Sequence, residues 1–402
     1  MSIDGAYVHV PFCARRCGYC DFNTYVMGRA GLTPDGWLDG MRAEIALARR
    51  AVDDPADALR GQFLPFGTSG TGPAATETDP AASGTPLRTV FFGGGTPTLL
   101  GAGPLVAVLD ELRATFGLVR DAEVTVEANP ETVTDELLDA LLAGGVTRLS
   151  LGMQSADAAV LRVLDRVHTP GQATRCVEAA HKAGFRDVSL DLIYGTPGES
   201  LASWQATLEA ALSVAPEHVS CYALIVEPGT PLARRIEAGE LPAPDDDLSA
   251  DKYDRADELL TAAGLTWYEL SNWALDTHEC RHNLGYWRGL DWWGFGPGAH
   301  SHRRRRRWWN HKSPARWAAA LAAGRAPEAG SEIIDDEMAH QERVLLELRL
   351  ASGLPRDVLT PEEASRVPAL VDDGLLFDGA NRLVLTRRGR LLADLVTRQL
   401  LG

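Results

Sequence analysis

Apolar residues along the chain fall into short continuous runs that alternate with longer stretches carrying one apolar residue in every three or four. Tyr7–Val10 reads as a first strand. After Thr33-Pro34, an N-cap followed by proline at the first helical position, Trp37, Met41 and Ile45 recur at four-residue spacing and predict a helix with one buried stripe. Thr89-Val90-Phe91-Phe92 is a second apolar run, and the pattern then repeats. Strands are predicted at Glu123–Ala128, Arg148–Leu151, Val188–Ile193, His218–Leu224 and Thr266–Leu270. Helices are predicted at Leu105–Phe116, Asp135–Ala143, Gln172–Ala183, Ser203–Val214 and Ala250–Ala263. Gly144-Gly145, Gly184 and Gly264 stand where helix C-caps belong. Alternation of this kind specifies an α/β fold with a parallel sheet and helices outside it. About seven strands suit an incomplete parallel (β/α) barrel better than a closed eightfold one.

In such a barrel, chemistry gathers at the C-terminal ends of the strands. The polar and glycine positions that interrupt the apolar runs fall there: Gly93-Gly94-Gly95, Glu127, Gly152-Met153-Gln154-Ser155, and Asp191 inside Leu190-Asp191-Leu192-Ile193-Tyr194-Gly195. A carboxylate in an apolar run needs a partner or a ligand, and several at matching strand ends point to ligand binding. The pattern breaks twice. Residues 53–86 turn into Ala, Gly, Pro, Thr and Asp, a composition that cannot bury enough apolar surface to fold, and read as a flexible insertion. From 335 to 402 the pattern changes to an amphipathic helix over Asp336–Leu350, helical residues near Pro361–Asp372, a hairpin about Asp378-Gly379 and a last helix at Gly389–Leu401. This predicts a small winged-helix-like α+β domain. The organisation expected is therefore a partial barrel with its extension over 1–310, a connecting helix and linker over 311–334, and the C-terminal domain over 335–402.

Composition narrows the function. The formal charge of −16 opposes non-specific binding to nucleic acid. From residue 335 onward there are nine arginines, no lysines and twelve acidic residues, so the winged-helix-like domain suits packing better than DNA. No run of eighteen apolar residues and no N-terminal export signal are evident. Six cysteines in 402 residues do not make a disulfide framework, and half of them sit in one loop. A reducing, cytoplasmic setting is expected, with peripheral membrane contact left open.

That loop is Cys13-Ala14-Arg15-Arg16-Cys17-Gly18-Tyr19-Cys20, directly after the first strand. Three thiolates in eight residues can hold three corners of a cubane iron–sulfur cluster and leave one iron for a small chelating ligand. The alternative is a zinc site completed by His9 or a distant residue, although no second Cys-x2-Cys pair exists to support it. The C-x3-C-x2-C spacing resembles the radical S-adenosylmethionine (SAM) proteins. In that family SAM chelates the open iron of a [4Fe–4S] cluster, and one electron cleaves its sulfonium to a 5'-deoxyadenosyl radical.

Four further segments make the resemblance specific. Tyr7-Val8-His9-Val10-Pro11-Phe12-Cys13, Gly93-Gly94-Gly95-Thr96-Pro97, Gly152-Met153-Gln154-Ser155 and Asp191-Leu192-Ile193-Tyr194-Gly195 together resemble the oxygen-independent coproporphyrinogen III oxidase family, and within it the HemW branch of haem chaperones. The resemblance implies that Cys13, Cys17 and Cys20 hold the cluster with Tyr7 and Tyr19 beside it. It also implies that Gly94, Gly95 and Thr96 meet the methionyl end of SAM, and that Glu127, Gln154, Arg166, Asp191, Ala223 and Ala299 line SAM sites. Two departures separate this chain from the oxidases: Phe22 stands where they carry a further cysteine, and only twelve residues precede Cys13. Coproporphyrinogen decarboxylation is therefore the second reading, and a radical SAM enzyme with another substrate the third.

His282-Asn283-Leu284-Gly285-Tyr286-Trp287 matches the H-N-x-x-Y-W haem motif of the HemW branch, which implies haem association through His282, Asn283, Tyr286 and Trp287. By their residues alone these read better as a hydrogen-bonded core histidine near an aromatic cluster, and it is the resemblance that favours haem. Cys280, His278, His300 and His302 lie near in sequence, and the run Arg303–Arg307 offers guanidinium groups to haem propionates. Cys176 and Cys221 sit inside a predicted helix and strand and read as small core residues. The partners implied are haem, an acceptor protein for it, and an electron donor if SAM is cleaved.

Overall fold

The computed structural model describes residues 3–53 and 86–402. The insertion expected over 53–86 lies, apart from its two end residues, outside the described residues. Six strands, Gly5–Val10, Leu87–Gly94, Leu118–Ala128, Arg148–Gln154, Asp187–Tyr194 and His218–Ala223, pair in parallel in that order. Each is followed by a helix in the manner the alternation predicts, and the helices Asp135–Ala143 and Gln172–Ala183 have the predicted limits. Trp37, Met41 and Ile45 are all buried in the helix Pro34–Asp53, packed against the same core as the strands.

The seventh parallel strand is not the expected one. Thr266–Glu269 forms an antiparallel hairpin with Asn272–Ala274, which in turn runs antiparallel to His218–Ala223, so this end of the sheet closes on a hairpin. Only one residue pair separates the two strands in sequence, too short for a parallel crossover. Trp292–Phe295 pairs in parallel with Gly5–Val10 instead, at the opposite edge. It continues into His300–Arg303, Arg306–Asn310 and Glu328–Ile333, an antiparallel meander that completes a twelve-stranded open sheet. Residues 311–334 thus contain the helix Pro314–Ala322 and the outermost strand of the large sheet.

The arginine run makes the hairpin between two of these strands. Arg304 and Arg305 occupy its turn with φ of 48° and 63°, the left-handed geometry a two-residue hairpin needs. Arg306 is held by both oxygens of Glu328, and Arg307 by Glu332 and Glu342, while Arg305 pairs with Asp336.

A second cluster of buried residues, from Val344 to Leu400, forms between the helices Asp336–Glu347, Pro361–Asp372 and Ala393–Leu401 and a three-stranded sheet. The helix expected over Gly389–Leu401 is two, Arg387–Leu391 and Ala393–Leu401, because the chain leaves helical geometry at Leu392.

Candidate functional site

The parallel strands place their C-terminal ends around one mouth. The cysteine loop leaves the first strand at Val10 and is tied to the Gly93-Gly94-Gly95-Thr96 turn by two backbone bonds, Gly95 N–H to Val10 O at 2.8 Å and Thr96 N–H to Phe12 O at 2.7 Å. Gly95 has no alternative there: a Cβ would lie 2.4 Å from the Phe12 carbonyl oxygen. His9 fixes the far side of the loop. Its Nε2 must donate to the Asn23 carbonyl at 2.9 Å, so Nδ1 accepts from the Tyr7 hydroxyl at 3.0 Å. Desolvation pulls its pKa to about 4, and with both nitrogens engaged it is no ligand for a metal beside the cysteines.

Cys13, Cys17 and Cys20 line a cavity of about 600 Å³ that runs down the barrel axis. Burial raises the Cys13 and Cys17 thiol pKa values, and neighbouring groups work against that: Thr96 Oγ1 at 4.0 Å from Cys13, and Arg166 Nη1 at 3.7 Å from Cys17. Among the described residues no three His, Cys, Asp or Glu side chains gather around a single point as a lone ion requires. The three thiols line one cavity, with the Arg166 guanidinium beside Cys17.

The strand register then lines up the polar positions. Glu127 lies opposite Ser150, and Asp191 opposite Gly152 on one side and Ser220 on the other. Glu127 accepts from the Gly94 N–H at 3.1 Å. Desolvation, then the charge of Asp191, push its carboxyl up to about 8. Asp191, raised by burial, accepts the Ser150 hydroxyl on both oxygens, at 3.1 and 2.9 Å. Arg166 bridges Asn129 Oδ1 at 2.6 Å and the Gly152 carbonyl at 3.0 Å. Gln154 is buried with φ of 62°, backbone strain at the strand end of the kind that clusters at ligand sites. Tyr7, Tyr19, Gly94, Gly95, Thr96, Glu127, Gln154, Arg166, Asp191 and Ala223 all line this cavity. Ala299 does not: it is buried in the turn between the strands Trp292–Phe295 and His300–Arg303, its N–H bonded to Gly296 and its carbonyl to Asn310 N–H.

The other end of the cavity is closed by the helix Arg281–Trp287. His282 is 4% exposed, and both ring nitrogens are engaged: Nδ1 with Thr89 Oγ1 at 2.8 Å and Nε2 with the Tyr286 hydroxyl at 2.8 Å. Burial pulls its pKa to about 3, so the ring is neutral. Asn283 donates to Glu269 at 3.2 Å, and Trp287 does not line the cavity. An aromatic ladder joins the two ends, Tyr7 to Phe91 to His282 to Tyr286 to Trp292, with successive centroids 6.3, 5.2, 4.9 and 4.7 Å apart. Cys280 is buried and its thiol is pushed up to about 12, first by desolvation and then by Glu123. His278 pairs with Asp187 and His302 with Asp291, while His300 stacks on Trp309. Cys176 and Cys221 are buried in the barrel core.

Sequence reasoning missed Glu123, which accepts from Arg281 N–H at 2.8 Å, His282 N–H at 2.9 Å and the Cys280 thiol at 3.5 Å, and so holds the start of the helix. It missed Arg148 and Thr89 as well. The available signal was a charged residue opening each of two otherwise apolar strands, Glu123 and Arg148.

Comparison with known proteins agrees with this geometry. Residues 80–211 match the radical SAM superfamily, whose members carry a [4Fe–4S] cluster and SAM. The solved coproporphyrinogen III oxidase HemN of Escherichia coli superposes with a TM-score of 0.79 over 98% of this chain and 89% of that one, at 22% identity, a likeness of fold. The Heme chaperone HemW of Mycobacterium tuberculosis is 48% identical over 399 residues, 99% of this chain and 95% of the relative. That of Bacillus subtilis is 31% identical over 99% of both. On these full-length matches the chain belongs to the HemW family of heme chaperones.

Proposed function

We propose that this protein binds haem and hands it to an acceptor protein, with a SAM-liganded [4Fe–4S] cluster held by Cys13, Cys17 and Cys20 in the same barrel. The observation that carries the reading is the pairing, in one continuous cavity, of the three-cysteine wall with the His282–Tyr286 pair at its opposite end. The cluster and SAM would supply an open iron and a one-electron cleavable sulfonium. The chain's own residues do the rest: Arg166 holds positive charge against the Cys17 thiol, and Glu127 and Asp191 offer hydrogen-bond partners along the cavity wall. Gly94 and Gly95 line the cavity without a side chain, and Thr96 turns its hydroxyl toward Cys13. Phe22, 61% exposed at the mouth, replaces the further cysteine of the oxidases with an apolar surface. No helix among the described residues is long and apolar enough to cross a membrane, and the reading places the carrier in the cytoplasm.

The test is anaerobic reconstitution followed by haem titration of wild type and His282→Ala. Uptake of haem with a Soret band that changes in the variant supports the reading. No uptake by wild type removes it, and turnover of coproporphyrinogen would install the oxidase reading in its place.

A further inference from the structure

His282 and Tyr286 line two cavities. Besides the axial one they form the inner wall of a groove on the outside of the barrel's N-terminal face, about 170 Å³ in volume. Its floor and sides are apolar or aromatic: Leu284 and Gly285 from the helix, Leu290, which is 40% exposed, and Trp292, edge-on to Tyr286 at 4.7 Å. Its rim is cationic, with Arg88, Arg281 and Arg288 set against Asp4 and Asp291. Arg281 is committed to Asp121, and Asp291 to the Arg304 N–H and His302. Neither the Arg88 nor the Arg288 guanidinium makes a hydrogen bond or a close ion pair among the described residues, and the charge of Arg88 is offset only at longer range, by Asp4 across the groove.

We propose that this groove is the haem seat: one edge of the macrocycle enters between Leu284, Leu290 and Trp292, with its two carboxylates on Arg88 and Arg288. This rests on the haem-carrier reading and locates the cargo. The axial cavity has the size of one small-molecule ligand, and the cluster and SAM would occupy its cysteine end. The groove holds only an edge, so the rest of the ring lies on the surface, open to an acceptor. Guanidinium matches carboxylate geometry in pairs. The run Arg303–Arg307 is a poorer candidate, since Arg305, Arg306 and Arg307 are already paired with Asp336, Glu328, Glu332 and Glu342. At the opposite mouth Arg15 is paired with Asp165, and Asp21 and Glu227 line the rim.

The experiment is a Soret titration of the reconstituted full chain with haem and with haem dimethyl ester, whose carboxylates are blocked. Wild type is compared with Arg88→Glu/Arg288→Glu and with Phe22→Ser/Ile225→Ser, two exposed apolar residues that line the axial cavity at the opposite mouth. The arginine reversal is expected to weaken haem binding roughly tenfold, because two exposed ion pairs become repulsions, with cluster absorbance unchanged. The ester should bind wild type and the reversed variant alike, at the weaker level, a result that needs no variant to fold for its wild-type half. Haem uptake by wild type that is indifferent to the arginines and to esterification overturns the groove and leaves the carrier reading standing. Loss confined to the Phe22/Ile225 variant moves the seat to the other mouth and likewise overturns it. Absence of any haem uptake by wild type overturns the carrier reading itself.

Discussion

Two residues of the cavity carry a strain that a measurement can read. Glu127 has its pKa raised from 4.5 to about 8 by desolvation and then by Asp191, with one backbone N–H working the other way. A raised carboxyl pKa means that the folded protein keeps a proton which the unfolded chain releases above pH 4.5. The residue is harmless to folding below that pH, and stability is lost as pH rises toward 8. Glu127→Gln cannot ionise, so the cluster-free variant should melt above wild type at pH 8 and level with it near pH 4.5; a gap that ignores pH would refute the assignment. At the other end, both His282 ring nitrogens are held, by Thr89 and by Tyr286, and a haem seated by one edge keeps its iron beyond their reach. Tyr286→Phe should therefore leave the Soret position of bound haem unchanged, and a shifted band that disappears when His282→Ala is added would put the iron on the freed Nε2 and overturn the edge-on seat.

The helix Arg281–Trp287 shows how an element that could not stand alone is made. Seven residues are too few for a stable isolated helix, and its N-cap, Cys280, offers no side-chain bond. Glu123 supplies what is missing by receiving the first N–H groups from a neighbouring strand. Glu123→Ala would leave the buried His282 N–H unpaired, at about 1–3 kcal/mol, and the part-buried Arg281 N–H at a smaller cost. It should lower the melting temperature by several degrees and abolish the haem-dependent spectrum while the cluster absorbance survives. Glu123→Gln keeps one acceptor and should fall between. A loss of cluster and haem together, in both variants, would mean that Glu123 supports the barrel and not the helix. Elements whose apolar period is local, such as Asp135–Ala143 and Gln172–Ala183, were legible in the sequence to the residue. The hairpin at Thr266–Glu269 was not, because an apolar run says strand without saying which neighbour it pairs with or in which direction. Trp292–Phe295 went unread for a related reason: its partner, Gly5–Val10, lies nearly three hundred residues earlier. The site divides in the same way. Cys13, Cys17 and Cys20 are adjacent in the chain and announce themselves. Glu123 and Thr89 matter only through contacts with residues near 280–290, and Arg88 only through the groove it lines with them, which no spacing reveals.

On the scale of the whole molecule, the C-terminal residues are bound to the barrel by charge. Arg390 gives two bonds to Asp257, both 2.9 Å, and lies over the rings of Trp267 and Tyr253 at 4.4 and 5.6 Å. Arg387 reaches Asp254 at 2.6 Å and Glu258 at 3.2 Å. Two of the nine C-terminal arginines, Arg387 and Arg390, are thus turned inward onto the helix Asp246–Ala262, an orientation that the charge count of the sequence could not give. Arg390 and Asp257 are 9% and 14% exposed, so the pair is closer to a buried ion pair than a surface one, and removing one member leaves the other under-compensated. Arg390→Met keeps the stem on Trp267 but leaves Asp257 with the Trp273 N–H and the longer 3.8 Å pair to Arg387, and Asp257→Asn on that background removes the under-compensated charge. Arg390→Met should therefore speed hydrogen exchange across Asp336–Leu401 while the amides of Leu87–Gly94 and Arg148–Gln154 keep their protection, and the double variant should recover part of the loss. Exchange that rises equally in the barrel strands would show that the two cores unfold as one unit, and exchange that does not rise at all would leave the apolar contacts between them, and not this ion pair, as the joint.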